Sequence, residues 1–216
     1  PAFMVPPWTA FAGTADAPQL SYHLDALIAF TSGSTGRPEA HSKTWGSLVS
    51  DARSLCSDFG VDRSKLSSAV GTVPPQHVFG LETTVMMPLQ NGVAVHSGLP
   101  LLPADIVAAL TGMPGERWLI TTPLHLRACV TDRAMLPRLA GLVCATMPLS
   151  VGLAKEAERL WGVPVQEFYG STETGAVAMR RPTYEEGWHA RPGMRFSREG
   201  SDTWVEGGHL PQALKL

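Results

Sequence analysis

The sequence contains few cysteines, and their spacing argues against the structural sites that cysteines most often build. Cys56, Cys129 and Cys144 are the only three in 216 residues, and no two form a C-x-x-C pair. An odd number of widely spaced thiols argues against a disulfide framework and against a zinc centre. We therefore expect a protein of the reducing cytoplasm, with Cys129 and Cys144 buried as small hydrophobic residues.

Charged residues are also scarce, at 17% of the chain against the roughly 25% usual in soluble domains. The 17 basic and 19 acidic residues form no basic run, which argues against a nucleic-acid partner or an anionic membrane surface. No apolar run approaches the ~20 residues of a membrane helix. The first residues also lack the basic and apolar regions of a signal peptide. We expect neither nucleic acid nor membrane as a partner.

The composition that is present indicates a folded chain with many turns. Hydrophobic residues make up 44% of the 216 positions, enough for the core of one large domain or two small ones. Glycine and proline number 21 and 18 of the 216 residues. Their combined share is well above the average of roughly 12%. Frequent turns follow from this composition.

Strand and helix patterns alternate along most of the chain. Residues 1–22 show no periodicity, and we interpret them as a leader or loop. Strand LIAF then leads into the loop TSGSTGRPE and a helix that ends at Gly60. The alternation continues to VPVQEFYG, so residues 23–175 are predicted to form an α/β region, a mostly parallel sheet covered by helices. From about residue 176 to 216, short alternating segments predict antiparallel strands.

The loop from Thr31 to Pro38 offers four hydroxyl groups and two glycines between a strand and a helix. Glycines allow close approach of the backbone to a ligand, and successive N–H groups can surround phosphate oxygens. The loop lacks the G-x-x-x-x-G-K-[ST] spacing of a P-loop. Taken alone it is either a phosphate-binding loop or a flexible surface turn.

Four segments together resemble the adenylate-forming enzymes, which include acyl- and aryl-CoA synthetases, peptide-synthetase adenylation domains and luciferases. TSGSTGRPEA is similar to the family's [ST]-S-G-[ST]-T-G-x-P-K-G loop, and YGSTE is similar to its Y-G-x-T-E segment. Between them, PQHVFG matches P-x-x-H-x-x-G, and ATMPL stands where the family has a Gly/Ala-Pro-Leu loop. The resemblance covers residues 27 to 175 and implies the family's α/β fold.

The resemblance implies a two-step reaction that uses ATP and Mg²⁺. A carboxylic acid substrate attacks the α-phosphate and releases pyrophosphate, and a thiol of coenzyme A or an acyl carrier protein then captures the acyl group. Charge builds on phosphate oxygens during the first step, so fixed hydrogen-bond donors and a divalent cation lower the barrier. Such an enzyme is an AMP-forming acid–thiol ligase.

The resemblance also implies roles for individual residues. Thr172 would bond the α-phosphate, Glu173 would coordinate Mg²⁺, and His77 would border the substrate carboxylate. Tyr169 would stack on adenine, with Glu167 facing the adenine amino group. The nucleotide would further contact the phosphate loop, the loop opposite Tyr169 and the glycine after it: Thr31, Ser32, Gly33, Ser34, Thr35, Gly36, Ala145, Thr146, Met147 and Gly170.

Each central assignment has a simpler alternative. Tyr169 is otherwise a core aromatic residue, and Glu173 is otherwise a carboxylate at a helix N-terminus. His77 is otherwise a satisfied histidine of the core or of a turn. The other histidines show no metal-ligand spacing and receive no role: His23, His41, His96, His125, His189 and His209.

The chain departs from the family pattern directly after the phosphate loop. Glu39 replaces the family lysine and Ala40 replaces the glycine, and a carboxylate at this position would repel pyrophosphate. Lys43 supplies a cation to the same phosphates if the next helix begins there. Otherwise Lys43 is a solvated lysine at the start of that helix.

A ribose-binding aspartate and a C-terminal domain with a catalytic lysine are expected in the family but are absent from these 216 residues. We therefore expect the central part of such a ligase, or a short member, that binds nucleotide weakly without turnover when isolated. The alternatives are a catalytically silent nucleotide-binding or scaffolding domain of the same fold, and an unrelated phosphate-binding protein.

Overall fold

The computed structural model describes residues 19–31 and 39–216. Within these ranges, no helix is both long and apolar enough to cross a bilayer. The elements, in chain order, are β1 (Asp25–Thr31), β2 (Glu39–Thr44), α1 (Trp45–Phe59), β3 (Ser67–Gly71), α2 (Val78–Leu81), a π-helical turn (Glu82–Met86), α3 (Met87–Asn91), β4 (Ala94–Val95), α4 (Pro103–Gly112), β5 (Glu116–Thr121), α5 (Pro123–Thr131), β6 (Gly141–Cys144), α6 (Val151–Trp161), β7 (Val165–Ser171), β8 (Gly175–Arg180), β9 (His189–Ala190), β10 (Met194–Glu199), β11 (Asp202–Gly207) and β12 (Leu214–Lys215).

The largest sheet of the described residues has seven strands in the order β4-β3-β5-β6-β7-β8-β9. The pairings from β4 through β7 are parallel, whereas β8 and β9 are antiparallel to their neighbours. Helices cover both faces, as parallel strands require because neither face can be left in water. The predicted α/β class with a mostly parallel sheet is confirmed.

The core lies on both faces of this sheet because side chains alternate along each central strand. Leu119 and Leu142 pack in the cluster formed with α4, α5 and α6. Ile120 and Val143, each one residue further, pack on the opposite face with α1 and α3. Cys129 and Cys144 are buried in the first cluster, as predicted from the sequence.

A separate two-stranded sheet precedes the large one: it contains the predicted strand LIAF and, between the loop and the predicted helix, a strand that the sequence did not predict. β1 pairs with β2 in antiparallel register, from Asp25 opposite Thr44 to Thr31 opposite Glu39. Helix α1 begins only at Trp45, where the side chain of Thr44 accepts a hydrogen bond from Ser47 N at 3.2 Å. The polar segment after the loop is therefore a strand, and Lys43 does not start a helix.

The end of the chain is antiparallel, as predicted, but it is divided between two sheets. β8 and β9 extend the large sheet, whereas β10, β11 and β12 form a separate three-stranded sheet. The direction of pairing reverses at the turn between β7 and β8. The turn that carries Thr172 and Glu173 therefore has a paired strand at each end.

Candidate active site

Several predicted site segments meet at one edge of the large sheet. β3, β6 and β7 run parallel, so their carboxyl ends lie at the same edge. The segments that follow these strands contain His77, the Ala145–Thr146 pair and Thr172. Ligands of open α/β sheets bind in the crevice outside such strand ends.

A cavity of about 190 Å³ lies at this edge. Six of the predicted residues line it: His77, Ala145, Thr146, Tyr169, Gly170 and Thr172. Its other lining residues are Val78, Phe79, Glu82, Phe168, Ser171, Gly175 and Ala176. Apolar and hydrogen-bonding groups are thus combined in one cleft, as is typical of small-molecule sites.

His77 caps helix α2 and lines the cavity at the same time. Its Nδ1 accepts a hydrogen bond from Phe79 N at 3.2 Å. Partial burial lowers the pKa of His77, because the charged ring would lose hydration. A neutral ring that accepts at Nδ1 carries its proton on Nε2. His77 therefore has a donor available for a ligand while it satisfies the helix end.

Tyr169 is not a core residue, since 44% of its surface is exposed. Its ring centre lies 5.4 Å from that of Trp188 in a tilted arrangement. Thr146, which also lines the cavity, has φ of +80°, a strained conformation for a β-branched residue. Met147 follows Thr146 but is exposed and does not line the cavity.

Glu167 does not reach the cavity, although the resemblance places it opposite adenine. It is 2% exposed, and both carboxylate oxygens accept hydrogen bonds from the chain. Leu149 N donates to one oxygen at 2.7 Å, and Arg180 Nε donates to the other at 2.7 Å. Arg180 also lies over the Trp188 ring, 4.4 Å from its centre. Glu167 thus anchors the loop after β6 in this structure.

The turn between β7 and β8 presents Thr172 and Glu173. Two reciprocal hydrogen bonds close it, from Ser171 N to Thr174 Oγ1 at 3.1 Å and from Thr174 N to Ser171 Oγ at 3.2 Å. β8 begins at Gly175, so Glu173 does not stand at a helix N-terminus. Thr172 lines the cavity.

Glu173 is held as a carboxylate. Burial opposes its charge, but a hydrogen bond from the Ser171 side chain and the charges of His41 and Lys43 lower the pKa of Glu173. Its Oε1 lies 3.5 Å from Nε2 of His41 on β2, and 34% of its side chain is exposed. An ionised, accessible oxygen is available beside Thr172.

Lys43 is a buried strand residue, which corrects the expectation of a solvated lysine at a helix start. It is 8% exposed, and its Nζ donates to the carbonyl oxygen of Glu173 at 3.3 Å. Glu39, which replaces the family lysine, is exposed at the start of β2. The Lys43 side chain thus contacts the backbone of the Thr172–Glu173 turn.

Most of the predicted phosphate loop falls outside the described residues, namely Ser32, Gly33, Ser34, Thr35 and Gly36. Its flanking residues Thr31 and Glu39 are paired across the β1–β2 hairpin. Two other residues of β2, His41 and Lys43, contact Glu173. The hairpin that carries the loop is therefore attached to the Thr172–Glu173 turn.

The donors at this turn fit Mg²⁺ together with a polyphosphate. Mg²⁺ favours oxygen ligands and is usually bound through one or two carboxylates plus substrate phosphates. Glu173 supplies one ionised carboxylate. Within residues 19–31 and 39–216, no three His, Cys, Asp or Glu side chains are placed so that they could hold a metal ion together.

The sequence interpretation missed a buried group of charged residues behind this turn: Asp51, Asp58, Glu82, Arg191 and His209. Asp51 and Asp58 fall on the apolar face of α1, three residues after Leu48 and Leu55 respectively. Glu82 begins the π-helical turn ETTVM and is buried. Charges at apolar positions were the available signal, but Arg191, the partner of Asp51 and Asp58, lies more than 130 residues further along the chain.

Comparison with known proteins decides the family. The model of the AMP-binding enzyme family matches residues 10–196, which is most of the chain. The chain belongs to the AMP-binding enzyme family. This confirms the adenylate-forming family indicated by the four sequence segments.

Relatives within the AMP-binding enzyme family include two CoA ligases. A 4-coumarate–CoA ligase of Rhodobacter capsulatus is 31% identical over 190 residues, covering 86% of this chain and 46% of that protein. An oxalate–CoA ligase of Arabidopsis thaliana is 28% identical, covering 82% of this chain and 35% of that protein. The chain thus spans less than half the length of these relatives.

Solved structures of AMP-binding enzymes share the fold. The o-succinylbenzoate CoA synthetase of Bacillus subtilis in complex with ATP and magnesium superimposes with a TM-score of 0.77 at 17% identity. The match covers 95% of this chain and 47% of that chain. A malonyl-CoA ligase in a ternary product complex has a TM-score of 0.76 at 21% identity, covering 89% of this chain and 46% of that chain.

Proposed function

We propose that the full-length protein is an AMP-forming ligase that activates an acyl or aryl acid with ATP and transfers the acyl group to a thiol. The acceptor is coenzyme A or an acyl carrier protein. The observation that carries the proposal is the cavity in which His77, Tyr169 and Thr172 meet beside the ionised Glu173. His77 suits a carboxylate and Tyr169 suits a nucleobase. Thr172 suits a phosphate, and Glu173 suits a hard cation.

In the first step, an oxygen of the acid forms a bond to the α-phosphorus, and the bond to the bridging oxygen of pyrophosphate breaks. The Oγ of Thr172 donates to the α-phosphate, and the Nε2–H of neutral His77 orients the acid. Tyr169 offers its exposed ring face to adenine. Glu173 would hold Mg²⁺, which would supply positive charge to the phosphate oxygens. Donors fixed beforehand lower the barrier since they need no reorganisation.

In the second step, a thiolate attacks the acyl carbon and AMP leaves. The acyl–sulfur bond forms as the acyl–phosphate oxygen bond breaks, and the electron pair leaves with AMP. The 4-coumarate– and oxalate–CoA ligases among the relatives support coenzyme A as the acceptor.

The test is acid-dependent exchange of pyrophosphate into ATP, measured on the full-length protein with a panel of small aryl and acyl acids. At least one acid is expected to support exchange above the acid-free rate. Glu173→Gln should lower that rate by about two to three orders of magnitude, as for loss of a preorganised charge-stabilising group. Glu199→Gln, at an exposed position on β10, is the matched control. Equal exchange by both variants would contradict the role of Glu173.

One observation favours a second function, a silent nucleotide-binding domain: the exposed Glu39 stands where the family has lysine. Calorimetry separates the two functions. Binding of ATP with Mg²⁺ in the absence of exchange with any acid supports the silent domain. If millimolar nucleotide produces neither heat nor a rise in melting temperature, both proposals fail, because a ligand at 100 times its Kd adds about 2.7 kcal/mol of stability.

A further inference from the structure

Three backbone carbonyls at and directly after the Thr172–Glu173 turn accept hydrogen bonds from side chains of distant elements. Lys43 Nζ on β2 donates to Glu173 O at 3.3 Å. His209 Nε2, between β11 and β12, lies 2.7 Å from Thr174 O. Arg191 Nη1, after β9, donates to Ala176 O at 2.5 Å. Since a carbonyl only accepts, Nε2 of His209 carries a proton in either charge state of the ring.

These side chains belong to one buried ionic group. Arg191 pairs with Asp51 at 2.6 Å and with Asp58 at 2.7 Å, both on α1. His209 Nδ1 lies 3.3 Å from Asp51 Oδ1. The buried Glu82 lies near both Gly175 and His209. A Cβ placed on Gly175 would collide with the Glu82 carboxylate and would lie 3.3 Å from Nε2 of His209.

Charge in this group is balanced when Glu82 and His209 are both neutral. Burial and the nearby Asp51 raise the pKa of Glu82 to about 8. Burial lowers the pKa of His209 and outweighs the opposing effects of Asp51 and of the hydrogen bond to Thr174 O, while the charges of Arg191 and Lys43 lower it further. The cations of Lys43 and Arg191 then face the anions of Asp51 and Asp58. Loss of one member would leave its partner charge buried and unpaired, which is costly.

The hydrogen bonds of Lys43 and His209 end on the two successive peptide carbonyls that follow the side chain of Glu173. The first of these peptide groups is bonded directly to Cα of Glu173, so its orientation affects the direction in which the Glu173 side chain points. The turn's remaining hydrogen bonds, between Ser171 and Thr174, close its shape but do not attach it to another element. Attachment comes from the side chains of β2 and of the segment after β11.

We propose that His209 and Lys43 are positioning residues that hold the Thr172–Glu173 turn in the orientation that binds ATP with Mg²⁺. The inference rests on the proposed function and adds to it two residues that act through the backbone. His209 contributes the donor to Thr174 O, and Lys43 contributes the donor to Glu173 O.

The test compares His209→Gln with His209→Asn in the full-length protein. The amide nitrogen of glutamine reaches the place of Nε2 and keeps a donor for Thr174 O, whereas that of asparagine reaches only the place of Nδ1. Calorimetry of ATP binding at saturating Mg²⁺ should give a Kd within about twofold of wild type for glutamine and about tenfold weaker for asparagine, the effect of about one lost hydrogen bond. Lys43→Met should also weaken binding about tenfold, and His23→Ala, at an exposed histidine, should not.

Exchange kinetics give a second readout. In His209→Asn, the Mg²⁺ concentration for half-maximal exchange should rise about tenfold while the KM of the acid stays unchanged. Equal ATP affinity of the Gln and Asn variants would overturn the inference, even if Asn lowered the melting temperature, since that result shows a purely structural role. Absence of both ATP binding and exchange in the wild type would instead refute the proposed function.

Discussion

Glu82→Gln should make the protein more stable than wild type at neutral pH, and the difference should grow with pH. The buried Glu82 carboxyl faces Asp51 of α1, Lys43 of β2 and Arg191, and it accepts a backbone hydrogen bond from Ala176. Burial and the charge of Asp51 raise the pKa of Glu82 from 4.5 to about 8. Glutamine is close in shape to the protonated acid but has no proton to release.

The magnitude follows from linkage between protonation and folding. Between pH 4.5 and 8 the unfolded chain releases the Glu82 proton and the folded chain retains it, so stability falls as pH rises. At about 1.4 kcal/mol per pH unit, the loss is about 3 kcal/mol at pH 7 and approaches about 5 kcal/mol above pH 8. The variant lacks this loss, and at pH 4 to 5 the two proteins should be similar.

Urea unfolding followed by tryptophan fluorescence at pH 5, 6, 7 and 8 measures this difference in the full-length protein. Subtracting the two free energies of unfolding at each pH removes the contribution of other groups. Glu199→Gln, at an exposed position, should give a difference that does not change with pH. A constant difference between wild type and Glu82→Gln across the range would refute the burial of Glu82 as a neutral acid.

Two further predictions concern buried groups away from the cavity. Glu167→Ala leaves Arg180 without its carboxylate and Leu149 N without an acceptor, so the free energy of unfolding should fall by about 3 kcal/mol or more; a loss below about 1 kcal/mol in urea unfolding would contradict the ion pair. Cys56, Cys129 and Cys144 are buried, and burial raises the pKa of Cys129 to about 11. None of the three should react with DTNB in the native protein, whereas all three should react in urea, and fast native labelling would show an open core.

The central sheet was predictable from the sequence because its strands are short apolar runs and its helices have one apolar face. Segments such as LVC in β6 and the spacing of Leu48, Leu55 and Phe59 in α1 show these two patterns. Strand β2 was not predictable in this way. Its sequence EAHSKT has no apolar alternation, and it is a strand since β1 offers it a partner.

The sequence showed part of the site but not its supporting interactions. His77, Tyr169 and Thr172 belong to short motifs, and the parallel strands bring them to one edge of the sheet. The bonds of Glu167 with Arg180 and of Lys43 with Glu173 O depend on the register of strands. Residues on separate elements give no local pattern, so the sequence interpretation did not identify these two hydrogen bonds.

The turn from Ser171 to Gly175 constrains how this protein can be redesigned. Its two strands approach so closely that a Cβ on Gly170 would meet the backbone of Gly175, and Gly175 itself has φ of +66°. An inserted residue would break the reciprocal bonds between Ser171 and Thr174 and move Thr174 O away from His209. Loop grafting or a change of length is therefore incompatible with this segment. Libraries aimed at new substrates should vary cavity residues outside it, such as Val78 and Ala145.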